Sequence, residues 1–311
     1  MTQKIHLIGE TVLDIIFKNG QPIIGNPGGS ILNTAVSLGR LGLKPFFMSD
    51  YCQDKVGQLI KNFLIKNGVE PYQTANNGIS QTSIALAFLD NNNNAEYQFY
   101  KSRPQNCDSQ LFKSDFKPND ILGFGSFYAI MPEIRLGVEK LISDAKKAGA
   151  IVLYDPNFRK PHLKDLPKVK NYILYNIKNA DIVKGSDEDF ELIFGTKTEQ
   201  ETFEIIKKLN PEISFFYTKG ALGSVFMREN YKIEFLAPKI KVVNTIGAGD
   251  NYNAGIIYGL VNYCKKFYNN TYFSAKKLLA QMPTDEIKKI LNIATDFSQR
   301  VCQSSENYIT V

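Results

Sequence analysis

Asp250 follows a glycine-rich turn whose residue types suit phosphate chemistry. The segment from Asn244 to Gly255 reads Asn-Thr-Ile-Gly-Ala-Gly-Asp-Asn-Tyr-Asn-Ala-Gly. Gly247 and Gly249 let backbone N–H groups turn inward at the start of the helix predicted to follow. Such a helix start binds anions, because its first N–H groups lack partners and the helix dipole favours negative charge. Asp250 is therefore a candidate base between an anion site and an acceptor hydroxyl.

The short pattern Gly-x-Gly-Asp has a structural alternative as well. A strand-to-helix turn can use an aspartate simply as its N-cap, and Asp250 fits that role too. The chain has no G-x-x-x-x-G-K-[ST] phosphate loop. His6 and His162 are its only histidines, so a general base must be a carboxylate and a His-rich metal site is excluded.

Residues suited to binding hydroxyl groups lie near the N-terminus. Asp14 follows Gly9-Glu10, and one carboxylate can accept hydrogen bonds from two neighbouring hydroxyls. Gly28 and Gly29 permit a close approach of backbone to ligand, and Asn33 offers both a donor and an acceptor. The alternatives are an exposed strand residue at position 14 and a plain glycine turn capped by Ser30.

Two further polar segments follow predicted strands. Asp155-Pro-Asn-x-Arg159 lies where parallel sheets bind ligands, and Arg159 could pair with a phosphate or with an acidic substrate group. A surface salt bridge is the alternative for Arg159. Thr218-Lys-Gly220-Ala-Leu-Gly223 could bend around a nucleotide, although an isolated G-x-x-G is more typical of an ordinary hairpin turn.

The pattern Thr-x-Gly-Ala-Gly-Asp-x-aromatic-x-x-Gly resembles the signature of the ribokinase-like (PfkB-type) carbohydrate kinases, and supporting motifs extend the resemblance over nearly the whole chain. The resemblance implies that Asp250 is the catalytic base and that the backbone of Gly247, Ala248 and Gly249 forms the anion hole. It also implies a sugar site that contains Asp14, Gly28, Gly29 and Asn33.

The same resemblance implies which residues bind ATP and Mg²⁺. Ala180-Asp-Ile-Val-Lys184-Gly-Ser186-Asp-Glu-Asp189 is similar to the family segment that organises Mg²⁺ and phosphate, and Lys184 and Ser186 are expected on the cofactor side. Ser186 and Asp189 depart from the Asn and Glu of the family, so Asp189 is a metal candidate with a shorter reach and Glu188 is its neighbouring alternative. Thr218, Gly220 and Gly223 are expected to contact the nucleotide.

The resemblance also implies a lid over the site and bears on whether K⁺ activates the enzyme. Tyr97 lies on the second strand of a predicted hairpin, which the family uses as a lid, and Arg103 follows it as a further substrate contact. Packing against the main sheet is the alternative for the lid aromatics. An exposed lid edge would allow pairing with a second subunit, so a homodimer through the lid is one expectation. Asn244 replaces the Asp with which many relatives help to hold K⁺, which makes K⁺ activation doubtful.

The elements that must position these residues alternate between strands and helices. Strands are predicted at Lys4–Ile8, Val12–Phe17, Pro45–Met48 and Lys239–Val243. Buried strands are predicted at Ile121–Phe124, Ile151–Tyr154, 182–183 and Ile213–Thr218. Helices are predicted at Ser30–Leu41, Val56–Lys66, 133–148, 168–178, 187–208 and Asn251–Tyr263. This alternation predicts an α/β fold with a mostly parallel sheet covered by helices on both faces. The runs about 10–24 and 72–106 are expected to add the strands of a small lid sheet to a single domain of residues 1–311.

Composition excludes several other classes of protein. The chain has 311 residues, 43% hydrophobic and 22% charged, which is ordinary for a globular protein. No apolar run reaches the length of a membrane helix, and the N-terminus does not read as a signal peptide, so we expect a cytoplasmic protein. The net charge of +6 comes from scattered lysine pairs, which argues against nucleic-acid binding. The four cysteines form no C-x-x-C pair.

These observations together predict an ATP-dependent kinase that phosphorylates a sugar hydroxyl. Fructose is the first expectation, because the Gly9-Glu10 opening and the Asp155-Pro-Asn-x-Arg159 run look fructokinase-like. A 2-keto-3-deoxygluconate kinase, a ribokinase and a nucleoside kinase remain as alternatives. A non-catalytic sugar sensor would not need Asp250, and a dinucleotide-binding oxidoreductase would need a G-x-G-x-x-G after the first strand.

Overall fold

The computed structural model describes residues 3–74, 81–90, 95–100, 112–113, 115–229, 231–267 and 274–310, with the backbone alone described at Ala95 and Tyr97. In chain order the strands are β1 (Ile5–Ile8), β2 (Val12–Lys18), β3 (Gln21–Gly28), β4 (Phe46–Ser49), β5 (Glu70–Gln73), β6 (Ile84–Leu89), β7 (Ala95–Tyr100), β8 (Ile121–Gly125), β9 (Ile151–Asp155), β10 (Ile182–Ser186), β11 (Ser214–Thr218), β12 (Ser224–Arg228) and β13 (Tyr231–Phe235).

The α-helices cover the larger of two sheets that these strands form. They are α1 (Ser30–Arg40), α2 (Lys55–Lys66), α3 (Arg135–Ala148), α4 (Leu166–Asn179), α5 (Asp187–Phe194), α6 (Glu199–Leu209), α7 (Ala248–Lys265), α8 (Ala275–Ala280) and α9 (Thr284–Cys302). No helix in the described ranges is long and apolar enough to cross a membrane.

Nine strands of the described chain form the large sheet, in the order β13-β12-β11-β10-β9-β8-β1-β4-β5. The seven strands from β11 to β5 pair in parallel, whereas β12 and β13 join as antiparallel edge strands. Its central strands are continuous apolar runs, as expected when both faces of a parallel sheet are buried. The predicted α/β fold is therefore confirmed.

The two faces of the large sheet carry separate hydrophobic cores. Alternate residues of β8 point to opposite faces, so Ile121 joins the core beneath α1, α7 and α9 while Leu122 joins the core beneath α3 and α4. Helix α7 lies close to α9: a Cβ atom added at Gly255 would lie 2.4 Å from the Cα of Ala294. This close approach fixes the axis of α7, and with it the position of the turn that precedes Asp250.

The small sheet has the order β3-β2-β6-β7 and stands apart from the large one. Strands β2 and β6 pair in parallel, and the outer pairs are antiparallel. The lid range predicted to start at 72 is corrected, because residues 72 and 73 end β5 of the large sheet. Residues 75–80, 91–94 and 101–111 of that range lie outside the described chain.

Two other boundaries differ from the sequence prediction. The single helix predicted over 187–208 is two helices, because α5 ends at Gly195, which has a left-handed backbone, and α6 begins after its N-cap Thr198. The strand predicted at Lys239–Val243 is irregular backbone, and the N–H of Val243 donates to the carbonyl of Cys302 rather than to a neighbouring strand.

Candidate active site

Several of the predicted site residues lie at the carboxyl edge of the large sheet. Strand β9 ends at Asp155, β10 at Ser186 and β11 at Thr218, and the last residues of β10 and β11 pair directly. Helix α7 begins at the same edge, because Lys184 of β10 reaches its first turn. Ligands of parallel α/β sheets bind at this edge, so the fold places the predicted site where the architecture favours one.

Helix α7 starts with backbone donors that its own hydrogen bonds leave unused. Gly247 has φ 82° and precedes the helix, and a Cβ atom there would lie 2.4 Å from the carbonyl oxygen of Asn307. The N–H of Ala248 donates to Thr245, so the donors left at the first turn are those of Gly249 and Asp250. The N–H of Ala248, one of the three residues expected to form the anion hole, is thus already paired in this conformation. Asp250 lies inside the first turn and is not the N-cap.

The carboxylate of Asp250 is buried and held by polar side chains from two other segments. Its Oδ1 accepts a hydrogen bond of 2.6 Å from Ser30 Oγ, and its Oδ2 accepts one of 2.8 Å from Asn33 Nδ2. Asn157 Nδ2 donates to Ser30 Oγ at 2.6 Å and lies 3.5 Å from Asp250 Oδ1. Burial raises the pKa of Asp250 to about 6, against the effect of these hydrogen bonds and of Lys184. A carboxylate with this pKa is ionised at neutral pH and can accept a proton.

A buried ion pair lies beside the start of α7. Lys184 Nζ donates to Asp155 Oδ2 at 2.9 Å, and Asn253 Nδ2 donates to the same oxygen at 2.6 Å. A Cβ atom at Gly249 would lie 3.1 Å from Lys184 Nζ, so the ammonium group occupies the space next to the unused N–H groups. The ammonium group and the helix start thus place donors side by side, with the charge of Lys184 balanced by Asp155.

The second cluster of polar groups lies between β2 and the start of α1. A Cβ atom at Gly28 would lie 2.2 Å from Asp14 Oδ2, so the carboxylate covers the bare backbone of this glycine. Burial raises the pKa of Asp14 to about 6. Gly28 and Ser30 are two residues apart, which limits the distance between their Cα atoms to about 7 Å. Because Ser30 contacts Asp250, the start of α1 brings the carboxylates of Asp14 and Asp250 to the same region of the chain.

Gly29 and Asn33 stand between these two carboxylates. Gly29 has φ 136°, and a Cβ atom there would lie 2.4 Å from the carbonyl oxygen of Glu10, so no larger residue fits. Ser30 is the first residue of α1 and does not cap it, which corrects the capping alternative. Asn33 Oδ1 is buried without a hydrogen-bond partner in the described chain, which leaves an acceptor for a ligand.

Ser186 and Asp189 form the N-terminal cap of α5. Ser186 Oγ accepts from the N–H of Asp189, and Asp189 Oδ2 accepts from the N–H of Ser186 at 2.7 Å. Burial and the nearby Asp155 raise the pKa of Asp189. Its Oδ1 is buried and has no hydrogen-bond partner among the described residues. No cluster of three or more metal-ligating side chains occurs in that part of the chain.

The loop after β11 has the predicted glycine geometry. Thr218 Oγ1 lies 3.4 Å from the carbonyl oxygen of Gly185, and Gly220 has φ 52°. Gly223 has φ 98°, and a Cβ atom there would lie 2.1 Å from the carbonyl oxygen of Phe235. The loop is therefore an open turn at the carboxyl edge, held by β13.

The remaining predicted residues lie at the margin of this site or beyond what is described. Arg159 is half-exposed, and its nearest acidic partner is Glu188 at 3.9 Å. The backbone of Tyr97 lies in β7, as predicted, but its side chain is outside the described part, as is the whole of Arg103. Asn244 Oδ1 accepts from the N–H of Ile246 at 2.9 Å, and its Nδ2 lies 3.3 Å from Asn307 Oδ1.

Several site residues were not identified as such from the sequence. Asn157 and Asn253 were quoted only within longer motifs; Asn157 lies against Asp250, and Asn253 holds Asp155. Asp50 was not singled out at all; burial and the charge of Glu10 raise its pKa to about 7. The polar residues that follow β1, β4 and β9 were the available signal, because the carboxyl ends of these strands share one edge.

Comparison with known proteins gives a consistent family match. The model of the pfkB family of carbohydrate kinases matches residues 3–306. "Probable fructokinase-6, chloroplastic" of Arabidopsis thaliana is 30% identical over 242 residues, which cover 76% of this chain and 62% of that protein's length. "Fructokinase" of Escherichia coli is 27% identical over 265 residues, 84% of this chain and 85% of that one.

Solved structures share the whole fold. A fructokinase double mutant from Vibrio cholerae, crystallised with fructose, ADP and a potassium ion, has a TM-score of 0.82 at 20% identity and covers 98% of this chain and 94% of its own. Aminoimidazole riboside kinase from Salmonella enterica has a TM-score of 0.79 at 18% identity, with 97% and 94% covered. At these identities the likeness shows the fold alone.

Proposed function

The chain belongs to the pfkB family of carbohydrate kinases and is an ATP-dependent sugar kinase; we propose that its acceptor is fructose and that Asp250 is its catalytic base. One observation carries the proposal for Asp250. Its buried carboxylate, with a pKa of about 6, lies in the first turn of α7 beside two unused N–H groups and Lys184. A base next to an anion site is the arrangement that phosphoryl transfer to a hydroxyl requires.

The proposed reaction uses these groups in order. The sugar hydroxyl donates a hydrogen bond to Asp250 and attacks the γ-phosphorus of ATP as the bond to the β-phosphate oxygen breaks. Asp250 takes the hydroxyl proton, and ADP leaves with the bonding electrons. The N–H groups of Gly249 and Asp250, with Lys184 Nζ, stabilise the charge on the transferred phosphoryl. Ser30 and Asn33 orient the base through the hydrogen bonds already described.

Asp14 and the start of α1 are proposed to hold the sugar. The half-buried Asp14 carboxylate covers Gly28, and a sugar offering two adjacent hydroxyls would satisfy both of its oxygens. The bare backbone of Gly28 and Gly29 allows the sugar ring to approach closely, and Asn33 Oδ1 offers a third acceptor. Each buried acceptor gains from a hydroxyl partner, because leaving it unpaired costs about 1–3 kcal/mol.

The nucleotide is proposed to lie along Thr218, Gly220 and Gly223, where the space beside Gly220 is open. Mg²⁺ accompanies ATP in such reactions, neutralises the phosphates and keeps most of its waters. Asp189 Oδ1 is the oxygen of this chain that fits a water-mediated contact with it, because the other oxygen is used in the helix cap. Ser186 then acts through this cap rather than on the phosphates.

Fructose is proposed over other acceptors because many of the relatives are named fructokinases. The fructokinases of several organisms match this chain over most of its length. Arg159 is the observation that favours an acid, 2-keto-3-deoxygluconate, as the second candidate. Its guanidinium is half-exposed and only loosely paired, so it could meet a substrate carboxylate.

An ATP-consumption assay with a panel of acceptors tests the proposed function. The panel contains fructose, ribose, 2-keto-3-deoxygluconate, adenosine and fructose 6-phosphate, each at equal concentration. We expect the highest kcat/KM with fructose. A higher value with 2-keto-3-deoxygluconate would overturn the fructose assignment and give Arg159 the substrate carboxylate, and turnover restricted to adenosine or ribose would overturn it in favour of a nucleoside or ribose kinase.

A further inference from the structure

A second polar cavity lies at the opposite, amino edge of the large sheet. It has a volume of about 230 Å³, opens to solvent and is lined by the ends of α3, α4, α8 and β12. Asp181 precedes β10 on this side, and Ser186 ends the same strand at the active site. Five residue steps of a strand separate the two edges by about 16 Å, so nothing bound in the cavity can touch the sugar or the transferred phosphoryl.

Cations from three helices converge on this cavity. Lys146 of α3, Lys178 of α4 and Lys276 of α8 line it together with Arg228 of β12. Burial and the charges of Lys276 and Lys178 lower the pKa of Lys146, although Asp181 acts in the opposite direction. The lysines are therefore close enough to repel one another, and a bound anion would relieve that repulsion.

The side chains that line the cavity still have an unpaired hydrogen-bond donor among the described residues. Arg228 Nε donates to Ser214 Oγ at 3.0 Å and Nη1 lies 3.3 Å from the carbonyl oxygen of Ala280, but Nη2 is buried with no partner among the described residues. Lys276 pairs with Asp181 at 2.8 Å, and Lys146 Nζ donates to Asn179. The carboxylates that also line the cavity are Asp181, Glu212 and Glu229.

We propose that this cavity is a second anion site that binds a phosphate group, held by Lys146, Lys178, Lys276 and the unused Nη2 of Arg228. A guanidinium and clustered ammonium groups are the side chains that recognise phosphate oxygens. The cavity is smaller than the roughly 300–1,000 Å³ of pockets for drug-sized ligands, so it suits inorganic phosphate or a small phosphorylated metabolite rather than a nucleotide. This site is independent of the acceptor specificity of the kinase.

Thermal unfolding in inorganic phosphate tests the proposal. Phosphate at about ten times its dissociation constant should raise the melting temperature of the wild-type chain by about 2–4 °C, and the rise should keep growing with the logarithm of the phosphate concentration. Sodium chloride at equal ionic strength serves as the control for simple screening of the lysines. A rise that chloride reproduces, or no rise at all, would overturn the proposal.

Paired variants separate this cavity from the active site, which also binds phosphate groups. In the Lys146→Met/Lys178→Met double variant the rise in melting temperature with phosphate should shrink by at least half, and the variant should stay folded because the two substitutions remove repulsion. The matched control is Lys168→Met/Lys170→Met, which removes two exposed lysines of α4 outside the cavity and should keep the full rise. An unchanged rise in the first double variant would place the phosphate elsewhere and refute the site.

The same titration with glycerol 3-phosphate identifies the source of the phosphate group. Tighter binding than inorganic phosphate, lost in the Lys146→Met/Lys178→Met variant, would support the site and assign a phosphorylated metabolite. Equal or weaker binding, lost in the same variant, would support the site and assign free phosphate. Binding of either compound that survives in the variant would count against the proposal.

Discussion

The pKa of the Asp250 carboxyl results from two opposing effects in the folded chain. Burial raises its pKa from 3.8 to about 6, while Ser30, Asn33 and Lys184 lower it. The proton is therefore held more tightly in the folded state than in the unfolded state. Keeping Asp250 ionised at neutral pH costs about 3 kcal/mol of stability for a shift of this size.

Asp250→Asn should consequently gain stability relative to the wild type as the pH rises. The amide of the variant does not titrate, whereas the wild type loses stability between about pH 4 and 6 as Asp250 ionises, because its folded pKa lies above its unfolded pKa. The difference in melting temperature between variant and wild type should increase over this range and level off above about pH 7. Scanning calorimetry across this range measures it, with the exposed Asp296→Asn as control. A difference that does not change with pH would show that the pKa of Asp250 is not raised.

Replacing Asp14 with Ala should weaken sugar binding and spare the nucleotide. Loss of an acceptor leaves a sugar hydroxyl unpaired and costs about 1–3 kcal/mol, or roughly 5- to 150-fold in the dissociation constant. Isothermal titration with fructose and with ATP separates the two effects, and Asp14→Asn controls for the shape of the side chain. If Asp14→Ala binds fructose as tightly as the wild type, Asp14 is a structural residue of β2.

The sequence singled out the residues that we propose to react, but not the neighbours that hold them. Gly247, Gly249 and Asp250 are adjacent in the chain, so a short motif could identify them. Asp250 is 220 residues from Ser30, and no local pattern reveals a contact across that distance. Only the packing of α1 against the start of α7 brings them together.

Helices and strands with a clear hydrophobic periodicity were predicted from the sequence. Segments whose backbone conformation depends on tertiary contacts were not. The apolar runs of β8 and β9 and the spacing of α1 matched the structure. Lys239–Val243 alternates like a strand but stays largely exposed and bonds to the end of α9. Helix α9 was not predicted, although Ile287, Ile290 and Leu291 follow the i, i+3, i+4 spacing that would have shown it.

The loop before α7 bears on monovalent cations. Asn244 caps the turn through Oδ1 and offers Nδ2 to Asn307 Oδ1, so a donor occupies the place where a carboxylate would present a charge. We expect weak or absent K⁺ activation in the wild type, with activity persisting in Na⁺ buffer. Asn244→Asp removes the donor and should create saturable K⁺ stimulation, because a formal charge strengthens cation binding.

Initial rates against KCl at constant ionic strength measure this effect in both proteins. Asn307→Ala provides a second variant that removes the same contact without adding charge, and it should not create K⁺ stimulation. Strong, saturable K⁺ activation of the wild type would contradict the role given to Asn244.

At the scale of the whole molecule, β3 and β7 are the outer strands of the small sheet among the residues that the structure describes. Phe99 and Tyr100 of β7 and Ile23 of β3 are each more than half exposed in the single chain. Apolar strand edges of this kind favour pairing with another chain. We propose that the chain forms a homodimer through this sheet, which would cover them.

Phe99→Lys should therefore shift the chain from dimer to monomer. The substitution places a charge on the exposed face of an edge strand, where it costs little in the folded monomer. Sedimentation velocity measures the oligomeric state, and Leu136→Lys, at a strongly exposed position on α3, is the matched control. A wild-type chain that sediments as a monomer at all concentrations would exclude the lid dimer.

The central claim of this account is that Asp250 takes the proton of the acceptor hydroxyl. The most direct measurement is the kcat of Asp250→Asn with fructose and ATP, together with the dissociation constants of both ligands. The account predicts a kcat lowered by about 10²–10⁴-fold, the usual contribution of a positioned base, with both dissociation constants little changed. A variant that binds both ligands and keeps near-normal turnover would contradict it.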